Sequence, residues 1–289
     1  MHKIFHDLYE CLPFKLIALK RKHSLLHFEK FLKKKLRQFD NSDYLTSNCF
    51  SNSVWVYWHQ GVENAPSIVK ACINSIVRQC NFQNLNVRIL SYNSLADYVS
   101  IDKRIVKKME GGELSLAHFS DIVRLTILSK YGGCWIDSTV FLTGNIPNMI
   151  LNSNFFVFRG STFEDLSLQN PSCVSNWFIY SKPGQEMINK TLYLMTEYIC
   201  THRKMFSYYL CHHIITFLFK TNVALWKEMP LLLNVNPHLI QFYYKDEQYN
   251  PILYSQIIKN SFCHKLSYKL DSKSGSILDF ISKGGDANV

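Results

Sequence analysis

The sequence predicts an α/β fold: a sheet with a parallel crossover, flanked by helices and preceded by a helical extension. Three features carry that expectation. Residues 54–58 (Val-Trp-Val-Tyr-Trp) and 87–90 (Val-Arg-Ile-Leu) are short runs rich in β-branched and aromatic residues, the composition of buried strands. A stretch of 3.6-residue apolar periodicity separates them, which is the order of a parallel crossover. Residues 114–131 form a longer helical pattern that stops at Gly132-Gly133 and leads into another strand at 134–137.

Taken in chain order, residues 1–48 read as a basic helical preface. Leu25, Phe28, Phe31, Leu32, Leu36 and Phe39 recur at helical spacing, with Lys30, Lys33, Lys34, Lys35 and Arg37 at other positions. That apolar stripe either packs on the rest of the protein or lies on an anionic membrane surface. Asn41-Ser42-Asp43 marks a break. After strand 54–58 comes a loop at His59-Gln60-Gly61. Pro66 is placed for a first helical turn, and Ile68, Val69, Cys72, Ile73, Ile76 and Val77 mark the buried face of that helix. Residues 101–110 read as helix ending at Gly111-Gly112. Beyond strand 134–137, Val140-Phe141-Leu142 continues or flanks it, 155–158 and 177–180 are further strands, and 184–220 is mostly helix. The Ser, Gly and Asp content after Leu270 suggests a loose tail. The expected organisation is therefore a basic extension (1–48), one α/β domain (49–270) and a tail (271–289).

Composition narrows the function classes. A chain of 289 residues with 47% hydrophobic and 19% charged content is globular, and disorder is excluded. The net charge is +10, and residues 1–39 supply +7 of it from ten Lys and Arg against three Asp and Glu. An anionic partner follows, but no nucleic-acid recognition module is apparent and nucleic acid is not expected. The nine cysteines are odd in number and contain no C-x-x-C pair, so neither a zinc site nor a disulfide framework is expected. Reduced thiols suit a cytoplasmic protein, located at the inner face of the plasma membrane if the basic helix binds lipid. Lys15, Lys20, Arg21 and Lys22 interrupt the apolar runs a signal peptide would need. No apolar run reaches the ~18 residues of a spanning helix.

The chemistry concentrates in residues 114–139, LSLAHFSDIVRLTILSKYGGCWIDST. Asp121 and Arg124 lie three apart on a helix that is apolar on several sides, so they neighbour each other and are partly buried. They form either a plain ion pair or a pair that binds ligand. In open α/β sheets ligands sit beyond the carboxyl ends of the strands. Asp137 stands at such an end, and a carboxylate there can hold a divalent cation through oxygen. His212 and His213 are adjacent on a helix and point in different directions, so structural roles are expected for both.

The order Ser120-Asp121-x-x-Arg124, Tyr131-Gly132-Gly133, then Trp135-Ile136-Asp137-Ser138-Thr139 resembles the sugar-binding DXD-region glycosyltransferases. With His118-Phe119 in front, it is similar more closely to the bacterial capsular polysaccharide synthesis family. Trp58-His59-Gln60-Gly61, Asn176-Trp177-Phe178 and His264-Lys265-Leu266-Ser267-Tyr268-Lys269 resemble other parts of that family. The likeness is specific in the central block and weaker elsewhere.

The resemblance implies a GT-A type, nucleotide-sugar-binding fold with a mixed, mainly parallel sheet. It implies transfer, with retained anomeric configuration, of a hexose or N-acetylhexosamine from a nucleotide sugar, UDP-linked, to an oligosaccharide or lipid-linked glycan in bacterial surface polysaccharide synthesis. By position, Trp58 would stack on the donor base, and Asp121 would accept from ribose or sugar hydroxyls. Arg124 would offer its donor fork to the same sugar. Asp137 would coordinate Mn²⁺ or Mg²⁺ on the two phosphates. Gln60, Ser120, Trp135, Ile136 and Ser138 would complete the donor site.

Thr139 departs from the pattern, standing where the second acid of D-x-D belongs, and a hydroxyl is a poorer ligand than a carboxylate. His264 would supply a late metal ligand, while Lys265 and Lys269 would pair with the diphosphate and partly replace a cation; alternatively, this segment is an exposed basic turn. Asn176 and Trp177 would line the acceptor side, or Trp177 is a buried strand residue. For the whole chain, two other readings stand beside the enzyme: an inactive relative acting as a partner subunit, which Thr139 keeps open, and a membrane-surface binding protein.

Overall fold

The computed structural model describes residues 23–47, 52–160 and 173–285. Residues 1–22 of the basic preface lie outside the described residues. Helix α1 spans 23–36. Strand β1 (Ser53–Tyr57), helix α2 (Ser67–Phe82) and strand β2 (Asn86–Leu90) follow, then helices α3 (Lys103–Glu110) and α4 (Leu116–Tyr131). Next come β3 (Gly133–Ile136), β4 (Val140–Leu142), a short α5 (Asn148–Leu151), β5 (Phe155–Arg159) and β6 (Val174–Ser181). The chain ends with α6 (Glu186–Thr201), α7 (Leu210–Thr221), α8 (Val223–Glu228), α9 (Pro251–Ile258), β7 (Cys263–Lys265) and α10 (Ile277–Ser282).

The central sheet runs β2-β1-β3-β6-β5. β1 pairs in parallel with β2 and with β3, while β6 runs antiparallel to both β3 and β5. β6 alone therefore opposes the common strand direction, which makes the sheet mixed and mainly parallel, as expected. β1 is buried along its whole length, which suits a central strand covered on both faces. α4 packs against α6, and α2 lies over β4.

The turn from α4 into β3 explains the paired glycines. Gly132 and Gly133 have φ of 62° and 88°, and a Cβ on Gly133 would come within 2.4 Å of the Ser53 carbonyl oxygen. β1 and β3 can be neighbours here only because position 133 has no side chain.

Two expectations need revision, and one open alternative is decided. Val140-Phe141-Leu142 neither continues nor flanks β3. The chain turns at 137–140, the Val140 amide donating to the Asp137 carbonyl at 2.9 Å, and β4 pairs instead with β7 in a separate two-stranded sheet. The tail is not loose throughout, because Ser276 caps α10 and Ile277, Leu278 and Ile281 are buried, with α10 resting on α2. Finally, the apolar stripe of α1 is already occupied. Phe28 stacks on Phe206 at 4.3 Å and meets Tyr198 edge-on, Leu32 is fully buried, and Lys35 bonds Glu197 at 2.6 Å. Burying each of Phe28 and Leu32 contributes on the order of 1.5–3 kcal/mol to the fold. Lys30, Lys33, Lys34 and Arg37 remain exposed. Among the described residues no helix is long and apolar enough to cross a membrane.

Candidate active site

α4 and β3 converge on a charged cluster at the carboxyl edge of the parallel strands. α4 begins at Ser115, whose side chain accepts from the His118 amide, and it is apolar on so many sides that Asp121 and Arg124 are enclosed at 8% and 3% exposure. Arg124 donates through one terminal nitrogen to Asp121 Oδ1 at 2.5 Å and through the other to Asp137 Oδ1 at 2.6 Å. Its guanidinium lies over the Trp135 ring, 5.2 Å from the centroid, and Trp135 Nε1 donates to the same Asp137 oxygen at 3.0 Å. Asn176 Nδ2 donates to Asp121 Oδ1 at 2.8 Å. One guanidinium thus bridges an acid from the helix and an acid from the strand end.

The two carboxylates are electrostatically unequal. Burial would raise Asp137, but Arg124 and Lys265 outweigh it and hold the carboxyl below its ordinary value. At Asp121 burial wins over Arg124 and His118, and the carboxyl is pushed up. Asp137 is therefore the more firmly ionised of the pair.

The β4–β7 sheet closes one side of the cluster. Val140 lies opposite Lys265, and the Leu266 amide donates to the Thr139 carbonyl at 2.8 Å. Lys265 Nζ consequently reaches Asp137 Oδ2 at 3.3 Å and also donates to Thr139 Oγ1. This placement tests the implied divalent cation. Asp137 Oδ1 already accepts from Arg124 and Trp135, while Oδ2 and the Thr139 hydroxyl accept from an ammonium. His264, the neighbour of Lys265 on β7, faces away and meets Thr143 Oγ1 at 3.2 Å. It is fully buried, which holds its imidazole down to about 4. Among the described residues no three His, Cys, Asp or Glu side chains gather as a metal site. Among the described residues, those around Asp137 therefore do not fit a divalent cation, and the His264 imidazole is turned to Thr143 rather than toward Asp137 and Thr139.

The remaining sequence candidates divide by face. Trp58 follows β1 at the same edge, its indole N–H buried without a partner and its ring meeting Tyr268 edge-on at 5.2 Å. Lys269 reaches over the Tyr268 ring at 5.9 Å and is itself exposed. Gln60 is exposed beyond Trp58, Ser120 is half-buried on α4, and Ser138 is buried in the turn between Asp137 and Thr139. Trp135 and Ile136 are buried in the sheet at 1% and 0% exposure. Trp135 therefore supports Arg124 and Asp137 from beneath, and the Ile136 side chain is core. Trp177 is also core, stacked on Phe158 at 4.6 Å with its N–H on Asn234 Oδ1, the buried-strand alternative. Asn176, beside it, points the other way and orients Asp121.

Two further residues lie near the cluster: His212, for which a structural role was expected, and Tyr208, which the sequence reading did not single out. His212 on α7 has a buried Nδ1 without a partner. Burial first, and then Arg124, hold it down to about 3, so it is neutral at physiological pH. Its neighbour His213 has the structural place expected, packed against Phe28 and Phe206. Tyr208 is exposed, and its phenol is raised by burial of part of the ring and then by Asp121 and Asp137. Only a bare His-His pair and a Tyr-Tyr pair marked these positions in the sequence.

Fold and site together define an α/β protein with a mainly parallel sheet and a buried acid–guanidinium–acid cluster where its ligand edge should be. The chain belongs to the capsular polysaccharide synthesis protein family, whose sequence profile matches residues 13–283. It is 30% identical over 148 residues to the O-glycosyltransferase PaGT of Phomopsis amygdali, covering 48% of this chain and 36% of that protein. It is 27% identical over 144 residues to the O-glycosyltransferase braB of Annulohypoxylon truncatum, covering 47% of this chain and 31% of that one. The chain thus spans about a third of the length of the curated relatives it matches. The solved PaToxG glycosyltransferase overlays with a TM-score of 0.42 at 15% identity, over 73% of this chain and 85% of that one, too loosely to argue from.

Proposed function

We propose that this protein is a retaining glycosyltransferase of GT-A type. It moves a hexose or N-acetylhexosamine from a nucleotide sugar, UDP-linked, to a hydroxyl of a glycan acceptor in bacterial surface polysaccharide synthesis. The observation that carries this reading is the Arg124 bridge between Asp121 and Asp137 at the carboxyl edge of β3, in a chain of this family. Trp58, with an unpartnered indole N–H at the neighbouring strand end, offers a platform for the base. Asp121 and Arg124 supply acceptors and donors for sugar hydroxyls. In the reaction the anomeric carbon's bond to the β-phosphate oxygen breaks, and its electron pair leaves with the nucleoside diphosphate. The acceptor oxygen bonds to the anomeric carbon from the same face, and its proton passes to the departing diphosphate. The names of the fungal relatives, both O-glycosyltransferases, support a hydroxyl acceptor.

A lipid-linked acceptor would bring the protein to a membrane surface. With the apolar stripe of α1 packed inward, only exposed Lys30, Lys33, Lys34 and Arg37 on that helix support binding to anionic lipid.

The test is a panel of UDP- and GDP-linked sugars with release of nucleoside diphosphate measured, wild type against Asp137→Asn. The expected result is release from at least one donor and a loss of about a hundredfold or more in the variant. No release from any donor, together with no thermal stabilisation by UDP or GDP, would overturn the reading in favour of a partner subunit, since any ligand of the native state raises its stability.

A further inference from the structure

We propose that the Lys265 ammonium is the built-in cation of the donor site, so that transfer proceeds without a divalent metal. The proposal rests on the nucleotide-sugar reading above and deepens it. Lys265 sits where a D-x-D metal would be needed, between the Asp137 carboxylate and the Thr139 hydroxyl that replaces the second acid. It is held there by backbone. Its register opposite Val140 and the Leu266 amide on the Thr139 carbonyl fix β7 against the turn that carries Asp137. The side chain is only 19% exposed, so the ammonium is aimed at the cluster. An ammonium has three N–H donors. Two are directed at Asp137 and Thr139, and the third can serve a phosphate oxygen.

The same segment reaches the base platform. Three residues beyond Lys265, Tyr268 meets the Trp58 ring, and Lys269 lies over Tyr268. A nucleoside diphosphate with its base at Trp58 would lay its phosphates along Lys265 and Lys269. As the glycosidic bond to the diphosphate breaks, negative charge grows on the β-phosphate oxygen. A fixed N–H donor stabilises that charge without moving a proton of its own.

The alternative fits the donor set poorly. Hard divalent cations need several oxygen ligands, carboxylates foremost. Here each Asp137 oxygen is engaged by a cationic side chain, Thr139 is uncharged, and the adjacent imidazole faces Thr143. A metal ion would have to displace Lys265 from both of its contacts.

The experiment is calorimetric titration of UDP and of GDP into the full chain, once in EDTA and once with Mn²⁺, for wild type, Lys265→Met and Lys265→Arg. The expected result is binding of one nucleotide in EDTA, changed by less than about threefold with Mn²⁺. It should weaken by about tenfold or more in Lys265→Met and recover in Lys265→Arg, as loss of a charge-assisted contact requires. Nucleotide binding that appears only with Mn²⁺, or that is unchanged in a folded Lys265→Met, would overturn the proposal while leaving the nucleotide-sugar reading intact. If neither nucleotide binds under either condition, the nucleotide-sugar reading itself falls and takes the proposal with it. Should Lys265→Met fail to fold, the paired wild-type titrations with and without Mn²⁺ decide alone.

Discussion

Removing Arg124 should separate its structural role from its role toward substrate. The guanidinium is 4% exposed and bridges carboxylates whose side chains are 11% (Asp121) and 23% (Asp137) exposed. In Arg124→Met, Asp137 keeps Lys265 and Trp135, but Asp121 keeps only the Asn176 amide among its direct contacts. Breaking a buried pair by deleting one partner costs roughly 3–5 kcal/mol. The exposed part of Asp137 softens its share, so about 3 kcal/mol is expected, most of it at Asp121. At about 2–4 °C per kcal/mol for a chain of this size, the melting temperature should fall by about 6–12 °C.

The deficit has a pH signature. Burial already raises Asp121, and without Arg124 it rises further. Its protonation in the folded state removes the stranded charge, so the deficit is largest at neutral pH and narrows as pH falls through that raised value. Asp137 behaves oppositely in the wild type. Its carboxyl is held below the ordinary 3.8, so its contribution is present above that value and is lost as pH falls through the lowered one. In Asp121→Asn/Arg124→Met no charge is stranded, and stability should recover by at least about 1 kcal/mol relative to the sum of the single changes. Turnover, followed by release of nucleoside diphosphate, should stay down by about a hundredfold or more in both single variants and the double. If turnover returns together with stability in the double variant, the two residues are an ion pair and nothing more, and the site assignment is refuted.

Two further outcomes follow from the packing. Leu32→Ala should cost about 2–5 kcal/mol in denaturant unfolding while leaving binding to anionic vesicles unchanged, because Leu32 fills the interior and does not face lipid; a stable variant that loses vesicle binding would reverse that assignment. Gly133→Ala should destabilise by at least about 2 kcal/mol, since it imposes a positive φ on a residue with a side chain and drives its Cβ against the Ser53 carbonyl; an unchanged melting temperature would mean that β1 and β3 are not neighbours as described.

What could be read from the sequence was what is written locally. β1 showed as an unbroken apolar run, α2 and α4 by their period, and the α4–β3 turn by its two glycines. Asp121, Arg124 and Asp137 were legible because two lie a helical turn apart and the third closes a strand. The β4–β7 sheet was not legible, since it joins three-residue strands far apart in sequence, with Thr139, just before β4, and Lys265 126 residues apart, and no local pattern records such a pairing. Packing of Phe28 on Phe206 was likewise invisible, because an apolar stripe is the same whether protein or lipid covers it.

The alternatives that the sequence left open at the site share one physical origin, which is the direction a side chain takes from a known backbone. Adjacent residues on a strand face opposite sides of the sheet. Asn176 and Trp177 were assigned together to the acceptor, yet one turns to Asp121 and the other to Phe158 and Asn234. β6 is buried at both positions, so its apolar pattern did not mark which face was which. His212 and His213 pose the helical version, one beside Arg124 and one among Phe28 and Phe206, and their shared identity hides the difference. His264 and Lys265 are the instructive pair. A short strand cannot direct both an imidazole and the next residue's ammonium at one diphosphate. Once Lys265 is on Asp137, the period of two alone sends His264 to the opposite face, where Thr143 receives it. The ammonium beside Asp137 and the imidazole turned to Thr143 are thus consequences of one register, set by Val140 opposite Lys265.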